Sequence, residues 1–450
     1  MDCLTLELRE YGRDAIGFAF RQTLLPIEKG MFQTPKEFLM NTFETLFNGL
    51  GERKGRVISL QSALTAFRAL GPENGGQGEI EKTQYIANCF TNCGVRDIVH
   101  LDKEDFRVES KLRPNLLVRI PGHSKKTLWL FGHTDVVPPG DINAWASDPW
   151  QVRCDGDFLY GRGVEDNQQA IVSMILLAEE LNIHHITPDL SLGLVFMSDE
   201  ETGSAYGLRH ILSSAASVFQ KDDLYIVPDS GSACGDEIEI AEKGQLWLKI
   251  RVTGVQCHAS TPQKGRNAFL ASSALVLACH ECLHSTFDTE ENLFSPPHST
   301  FVPSRHDANV PNINTIPGED VFYMDCRLLP QITPENVLKR LHEVAADIER
   351  QYDVHVNVTI VQEQQASSMP SSSCVVSLLQ DAVAHVYGVN ARPVGIGGAT
   401  VAAFLRDKGL SAAVWSCIEG SCHSPNEHSS IVSTINDARV FAHILMQNHV

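Results

Sequence analysis

Basic residues are scarce in this chain: 36 Lys and Arg stand against 55 Asp and Glu, a formal net charge of −19 at pH 7. That balance disfavours nucleic acid and anionic membrane surfaces as partners, since both bind through negative charge. No uninterrupted apolar run reaches the ~18 residues that a membrane span needs. The opening Met1-Asp2-Cys3-Leu4-Thr5-Leu6-Glu7 has no basic segment followed by an apolar one, so no signal peptide is expected. The 12 cysteines make no tight framework in so long a chain, which predicts reduced, mostly buried thiols and a cytoplasmic setting. Internal repeats are also lacking.

What is present is enough apolar residue to fill cores. At 450 residues and 43% hydrophobic content, the chain exceeds the size at which one core keeps growing, so two domains are expected. Amphipathic helices are expected from Leu4 to about Ala69, for instance Thr34 to Leu50 with Phe38, Leu39, Phe43, Leu46 and Phe47 as its apolar positions. A helix from about Glu79 to Cys93 follows, then strands at Asn115–Ile120 and Thr127–Phe131, a helix from Asn167 to Leu181, a strand at Leu192–Met197, a helix from Tyr206 to Phe219 and a strand at Leu224–Val227. Strands alternating with helices predict a parallel or mixed α/β sheet.

The pattern changes near Glu242-Lys243-Gly244. Trp247 to Val252 alternates apolar and polar residues, a long helix runs from about Asn267 to His284, and a Pro-rich loop covers Phe294–Pro303. A strand at Val321–Leu328, a helix from Pro334 to Tyr352 and a strand at Val354–Val361 complete the block. Alternating strands predict a sheet covered by helices on one face. The Ser-rich stretch from Gln362 to Ser373 reads as a return linker, after which α/β character resumes, with a strand at Ala412–Trp415. The expected organisation is 1–245 and 363–450 as one catalytic domain, with 246–362 as an inserted domain.

Five short segments, far apart in the chain, each deliver a carboxylate or imidazole suited to a hard divalent metal: His133-Thr134-Asp135, Gly161-Arg162-Gly163-Val164-Glu165-Asp166, Asp199-Glu200-Glu201, Pro228-Asp229-Ser230 and His423-Ser424-Pro425-Asn426-Glu427. Each falls at or just beyond an apolar run, where the carboxyl ends of parallel strands gather functional groups. Two close metals need a bridging carboxylate and separate ligands for each ion, and His133, Asp166, Glu201, Asp229 and His423 supply that inventory. Asp135, two residues from His133, is placed to fix the ring's tautomer. The Glu200-Glu201 pair can divide the work between metal binding and proton transfer.

At Gly132-His133-Thr134-Asp135-Val136-Val137-Pro138, Tyr160-Gly161-Arg162-Gly163-Val164-Glu165-Asp166 and Ser198-Asp199-Glu200-Glu201-Thr202-Gly203 the sequence resembles the dinuclear-zinc family of carboxypeptidase G, acetylornithine deacetylase, succinyl-diaminopimelate desuccinylase, aminoacylase and carnosinase. The likeness runs from about Gly71 to the C-terminus. It implies a zinc-exopeptidase-like α/β catalytic domain with a mixed central sheet, plus an inserted ferredoxin-like α+β lid through which the chain forms a homodimer. It implies two divalent ions per subunit, zinc first and cobalt or manganese as alternatives. His133 and Asp229 would hold one ion, Glu201 and His423 the other, with Asp166 bridging and Glu200 as general base. In the lid, His258 matches a histidine that reaches a neighbouring subunit's site and stabilises the oxyanion. Asn314 and Arg327 match substrate-holding positions, Arg327 being suited to a carboxylate, and Gly398 lies in the glycine turn near the substrate carboxylate.

Two departures bear on substrate rather than chemistry: Asn167-Gln168-Gln169 replaces the Lys-Gly pair of many relatives, and Ala399-Thr400-Val401-Ala402 replaces a Thr or Ser followed by Asp. Plainer readings compete at several places. His428 rivals His423 as the last ligand, and Arg327 can instead make an ion pair inside the lid. Cys279-His280-Glu281-Cys282-Leu283-His284 invites a metal-site reading, but on a helix these side chains do not share one face. The resemblance implies a metal-dependent hydrolase that cleaves the amide bond of an N-acyl amino acid or small peptide bearing a free carboxylate, by metal-activated water. A di- or tripeptidase or carboxypeptidase is the alternative, and a non-catalytic metal-binding relative the alternative of another class. The last is disfavoured because every chemical residue of the set is in place.

Overall fold

Along Thr127–His133, Leu128 and Leu130 alternate with Trp129 and Phe131, and the pleat sends the two pairs into separate cores on opposite faces of one sheet. A computed structural model describes residues 35–446 of the chain. The helices expected before Pro35 lie outside the described residues. Met1–Asn41 and Thr42–Val450 separate as two compact units. Of the first, only the start of the helix Pro35–Gly51 is described.

Among the described residues the large sheet has nine strands. In order they are Asp97–His100, Leu116–Ile120, Ser191–Met197, Thr127–His133, Leu224–Ser232, Ala412–Cys417, Glu237–Glu242 and Ser367–Ser368, with Arg392–Ile396 also pairing with Glu237–Glu242. From Ser191–Met197 to Ala412–Cys417 the strands run parallel, and antiparallel strands flank them. The mixed sheet is therefore parallel where it matters. Four carboxyl ends meet at one edge, and the segments after them carry chemistry.

The helix Gln168–Ile183 is buried on every side from Gln168 to Leu181, as its nearly continuous apolar sequence requires. It packs between the sheet and Ile431–Leu445, in the core that also holds Leu60, Phe90 and Leu379. Burying a side chain such as Leu or Ile contributes about 1.5–3 kcal/mol. The expected helix Tyr206–Phe219 is shorter: Leu208–Ser214, then a tight turn at Ala216–Val218. Tyr206 is held back because its N–H donates to Asp199 Oδ2 at 2.8 Å. Gly207 comes so close to the Ser198 carbonyl that a Cβ would sit 2.0 Å from its oxygen. At the other end, the Ser213 and Ser214 hydroxyls both donate to the His210 carbonyl and compete with helix continuation.

A second, four-stranded sheet has the order Thr300–His306, Glu319–Leu328, Gly244–Thr253, His355–Gln364, every pair antiparallel. With the helices Ala268–Thr286 and Pro334–Tyr352 it forms a β-α-β-β-α-β block, the ferredoxin-like arrangement. Leu246, Leu248, Ile250 and Val252 fill its core against Ala271, Leu275, Val337 and Leu341. The strand Thr300–His306 lies partly within the expected Pro-rich loop. Pro303 is accommodated because the strand is at the sheet edge and its register shifts between Pro303 and Arg305. Ala268–Thr286 is long and apolar enough to cross a membrane by length and composition, but its Ala271–Leu275–Cys279–Leu283 stripe packs on this sheet.

Candidate metal centre and active site

The carboxyl ends of the parallel strands place the acids and imidazoles. Thr127–His133 ends in His133, Ser191–Met197 leads into Asp199-Glu200-Glu201, and Leu224–Ser232 carries Asp229. Ala412–Cys417 leads to the loop bearing His423. Asp166 arrives just before the helix Gln168–Ile183. His133, Asp166 and Asp229 can each offer a ligand atom so that all lie within 4.8 Å of one another, and so can Asp166, Glu201 and His423. Asp166 is shared. Its Oδ1 lies 2.7 Å from His133 Nε2 and its Oδ2 lies 3.0 Å from His423 Nε2. His133 Nε2 is 3.5 Å from Asp229 Oδ1, and His423 Nε2 is 3.1 Å from Glu201 Oε1. Two sets of one imidazole and two carboxylates, joined through one acid, fit a pair of divalent ions.

Electrostatics follow from crowding. Burial alone would raise Asp166, but hydrogen bonds from His133 and His423 hold its carboxyl well below the usual range. Burial would lower His133, yet its bonds to Asp135 and Asp166 raise it well above an ordinary imidazole. Asp166 and Glu201 lift His423 to about 10. Burial first, then the charge of Asp229, pushes Glu200 well upward.

Asp135 has a fuller role than holding a ring. Its two oxygens accept from the backbone N–H groups of Glu200 and Glu201 at 3.1 and 3.0 Å, while His133 Nδ1 sits 3.1 Å from the Asp135 carbonyl and 3.4 Å from Oδ1. The carboxylate thus anchors the Glu pair, and the backbone carbonyl lies nearest the ring nitrogen. Asp199 and His423 take left-handed backbone conformations, with φ of 63° and 60°, which for non-glycine residues cluster at functional sites. His428 instead stacks on Tyr160, ring centroids 5.2 Å apart, outside both ligand groups.

The expected lid residues lie apart from these groups within one chain. His258 is exposed on the short strand Cys257–His258, its Nδ1 2.7 Å from Ser260 Oγ. Asn314 is exposed and accepts from Ala259 N through its carbonyl. Arg327 makes a two-pronged pair with Asp325 at 2.7 and 3.0 Å and donates to the Gly397 carbonyl at 3.1 Å, next to Gly398. It therefore combines the lid ion pair with a reach to the glycine turn. A cavity of about 610 Å³ opens beside Glu200 and Glu201, bounded by Trp247 and Gln362 of the second sheet and by Thr400. A larger one, about 810 Å³, lies by Thr127 and Ser191 at the amino ends of the same strands, away from the acids.

The Asn167-Gln168-Gln169 departure, read from sequence as bearing on substrate, makes structural bonds beside the site. Asn167 donates to Asp229 Oδ1 at 2.6 Å and to the Pro228 carbonyl, orienting that carboxylate. Gln169 donates to Asp437 and to the Cys417 carbonyl, so it ties the start of the helix Gln168–Ile183 to the strand before His423, while Asn167 ties to the strand that carries Asp229. Glu165 and Glu427 are buried and bond the loops themselves. Both lay within segments already singled out, but nothing in residue type alone tells a loop-bracing acid from a solvated one.

The fold and site together define a metallohydrolase acting on amide bonds. Residues 129–447 match peptidase family M20/M25/M40, and the chain belongs to this family. It is 37% identical over 402 residues to an uncharacterized metallohydrolase of Methanocaldococcus jannaschii, covering 86% of this chain and 98% of that protein. It is 32% identical over 247 residues to succinyl-diaminopimelate desuccinylase of Bordetella petrii, covering 54% of this chain and 63% of that one. The fold is similar to that of human carnosine dipeptidase 1, with a TM-score of 0.71, 16% identity and coverage of 90% and 98% of the two chains.

Proposed function

We propose that this chain is a dinuclear metal-dependent deacylase that hydrolyses the amide bond of an N-acyl amino acid or short peptide with a free carboxylate. The observation that carries it is Asp166, whose two oxygens face one imidazole each, beside Glu200, whose backbone N–H is held by Asp135. His133 and Asp229 would hold one ion and Glu201 and His423 the other, with Asp166 between them. When bound, two divalent ions, zinc first and cobalt or manganese as alternatives, polarise the scissile carbonyl and acidify water. Glu200 takes the proton of the attacking water and returns it to the departing amine. Asp135 keeps Glu200 at the ligands through the N–H bonds of both glutamates. Arg327 and Gly398 meet the substrate carboxylate, and Asn314 holds the substrate from the lid.

His258 acts on the partner subunit's site, where its ring N–H stabilises the oxyanion. Supporting this are its exposure and the bare outer face of the lid helix, where Phe269, Leu270 and Leu277 are exposed, an apolar surface suited to a second copy. The boundaries 246–362 for the lid, and a cytoplasmic setting in keeping with free cysteines among the described residues, belong to the same reading. A peptidase is the second reading, favoured by the likeness of fold to carnosine dipeptidase 1.

The test is turnover by the metal-loaded protein on N-succinyl and N-acetyl amino acids beside unblocked dipeptides. Acyl amino acids should react at least tenfold faster by kcat/KM. Preference for dipeptides would establish the peptidase reading, and no turnover of any amide would overturn both.

A further inference from the structure

The two loops that carry Asp166 and His423 hold each other through a pair of carboxylates in crossed arrangement. Glu165 precedes Asp166, yet its carboxylate bonds the other loop: Oε1 accepts from Glu419 N and Gly420 N at 2.5 and 3.0 Å, and Oε2 from Ser421 N and Ser421 Oγ at 2.5 and 2.7 Å. Glu427 follows His423, and its carboxylate returns the contact. Its Oε2 accepts from Arg162 Nη1 and Gly163 N at 2.6 and 3.0 Å, and Oε1 from Glu165 N and Asp166 N at 3.0 and 3.1 Å. Each acid is at most 3% exposed and takes four donors. Runs of backbone N–H groups around one anion fix a loop's path, because each bond is charge-assisted and water cannot replace it.

We propose that Glu165 and Glu427 are reciprocal positioning residues, each setting the loop that presents the other's metal ligand. The consequence is asymmetric. Glu165 governs the path into His423, so its loss should free one ion alone. Glu427 holds the backbone of Asp166, which serves both groups, so its loss should weaken both ions. Neither acid touches a metal position, and the motif reading assigns neither a role. The inference rests on the two-ion reading above.

Glu165→Gln is the decisive variant, since its amide N–H₂ would face the Ser421 N–H with no acceptor to offer. Ions per chain are measured by elemental analysis across a chelator series, with the visible spectrum of the cobalt-loaded protein as a second readout. The ion at Glu201 and His423 should bind about 10–100-fold more weakly, the range for residues that orient ligands. The other ion should keep wild-type affinity and its cobalt spectrum, while Glu427→Gln should weaken both. Two ions at wild-type affinity in Glu165→Gln would overturn the proposal, as would equal loss of both ions with the metal-free Tm unchanged. If Glu165→Gln does not fold, Ser421→Ala decides by the same measure, with a smaller loss confined to the same ion; no loss there overturns the proposal. A wild-type chain that binds one ion fails the two-ion reading itself, a result distinct from these.

Discussion

Asp166 is the residue on which two ligand groups converge, and its substitution should act twice. Asp166→Ala removes an oxygen from each imidazole–carboxylate set, so elemental analysis should find both ions depleted. A variant that keeps two ions at wild-type affinity removes Asp166 from the bridging role. Glu200→Gln should behave in the opposite way. The amide fills the same space and leaves the ligands alone, but it cannot accept a proton, so kcat should fall ~10²–10⁴-fold with metal content intact. Near-normal kcat would leave water activation to the metals. The acids and imidazoles of the site were legible because strand ends and motif spacing mark them. The Asn167, Glu165 and Glu427 contacts were not. Each is a bond to a residue more than 60 positions away, and such partners have no local signal.

At the level of elements, the parallel order of Ser191–Met197, Thr127–His133, Leu224–Ser232 and Ala412–Cys417 is what gathers the site. Helices on both faces make those strands largely apolar before their carboxyl ends, and that is why their positions could be read. The strands Glu237–Glu242 and Arg392–Ile396 were missed. Buried Glu239 and Glu242 interrupt the first, tolerated only because Arg406 and Thr400 bond them. The lid helix Ala268–Thr286 offers a test of packing apart from chemistry. Leu275 is fully buried in the lid core, so Leu275→Ala should cost about 2–5 kcal/mol, seen as a lower Tm. Metal content at 25 °C should be unchanged. Lost metal in a folded Leu275→Ala chain would mean that lid packing supports the ligands.

For the molecule as a whole, charge in the metal-free state sets a pH trend. His423, raised to about 10 by Asp166 and Glu201, and His133 contribute stability in full below 6.5, and this is lost as pH rises through their folded values. Burial raises Glu239 to about 8 and Glu242 to about 7, so their ionisation also costs stability over this range. The metal-free Tm should therefore fall from pH 6.5 to about 8, above which buried Lys82, lowered to about 8, begins to oppose the trend. Metal loading should flatten it, because metals take the neutral imidazoles. A metal-free Tm that rises over the interval contradicts the assignment. Assembly has its own test. An inactive His258→Ala chain mixed with an inactive Glu200→Gln chain should regain partial activity, since one mixed site holds an intact base and an intact histidine. Verified heterodimers with no recovery, or a fully active monomer, would end the reading of His258 across an interface.

Residue order alone determined the α/β alternation, the strand–helix–strand–helix–strand outline of the inserted block and the acids and imidazoles of the candidate site, since periodicity and motif spacing are local properties. Folding decided what is not local. Asp135 spends its carboxylate on two backbone N–H groups of the Glu pair, the Pro-rich stretch ends as an edge strand, and two buried acids cross-brace the ligand loops. Each of these depends on groups brought within hydrogen-bond reach by packing, and no pattern along the chain encodes a distance between segments that only the folded sheet makes neighbours.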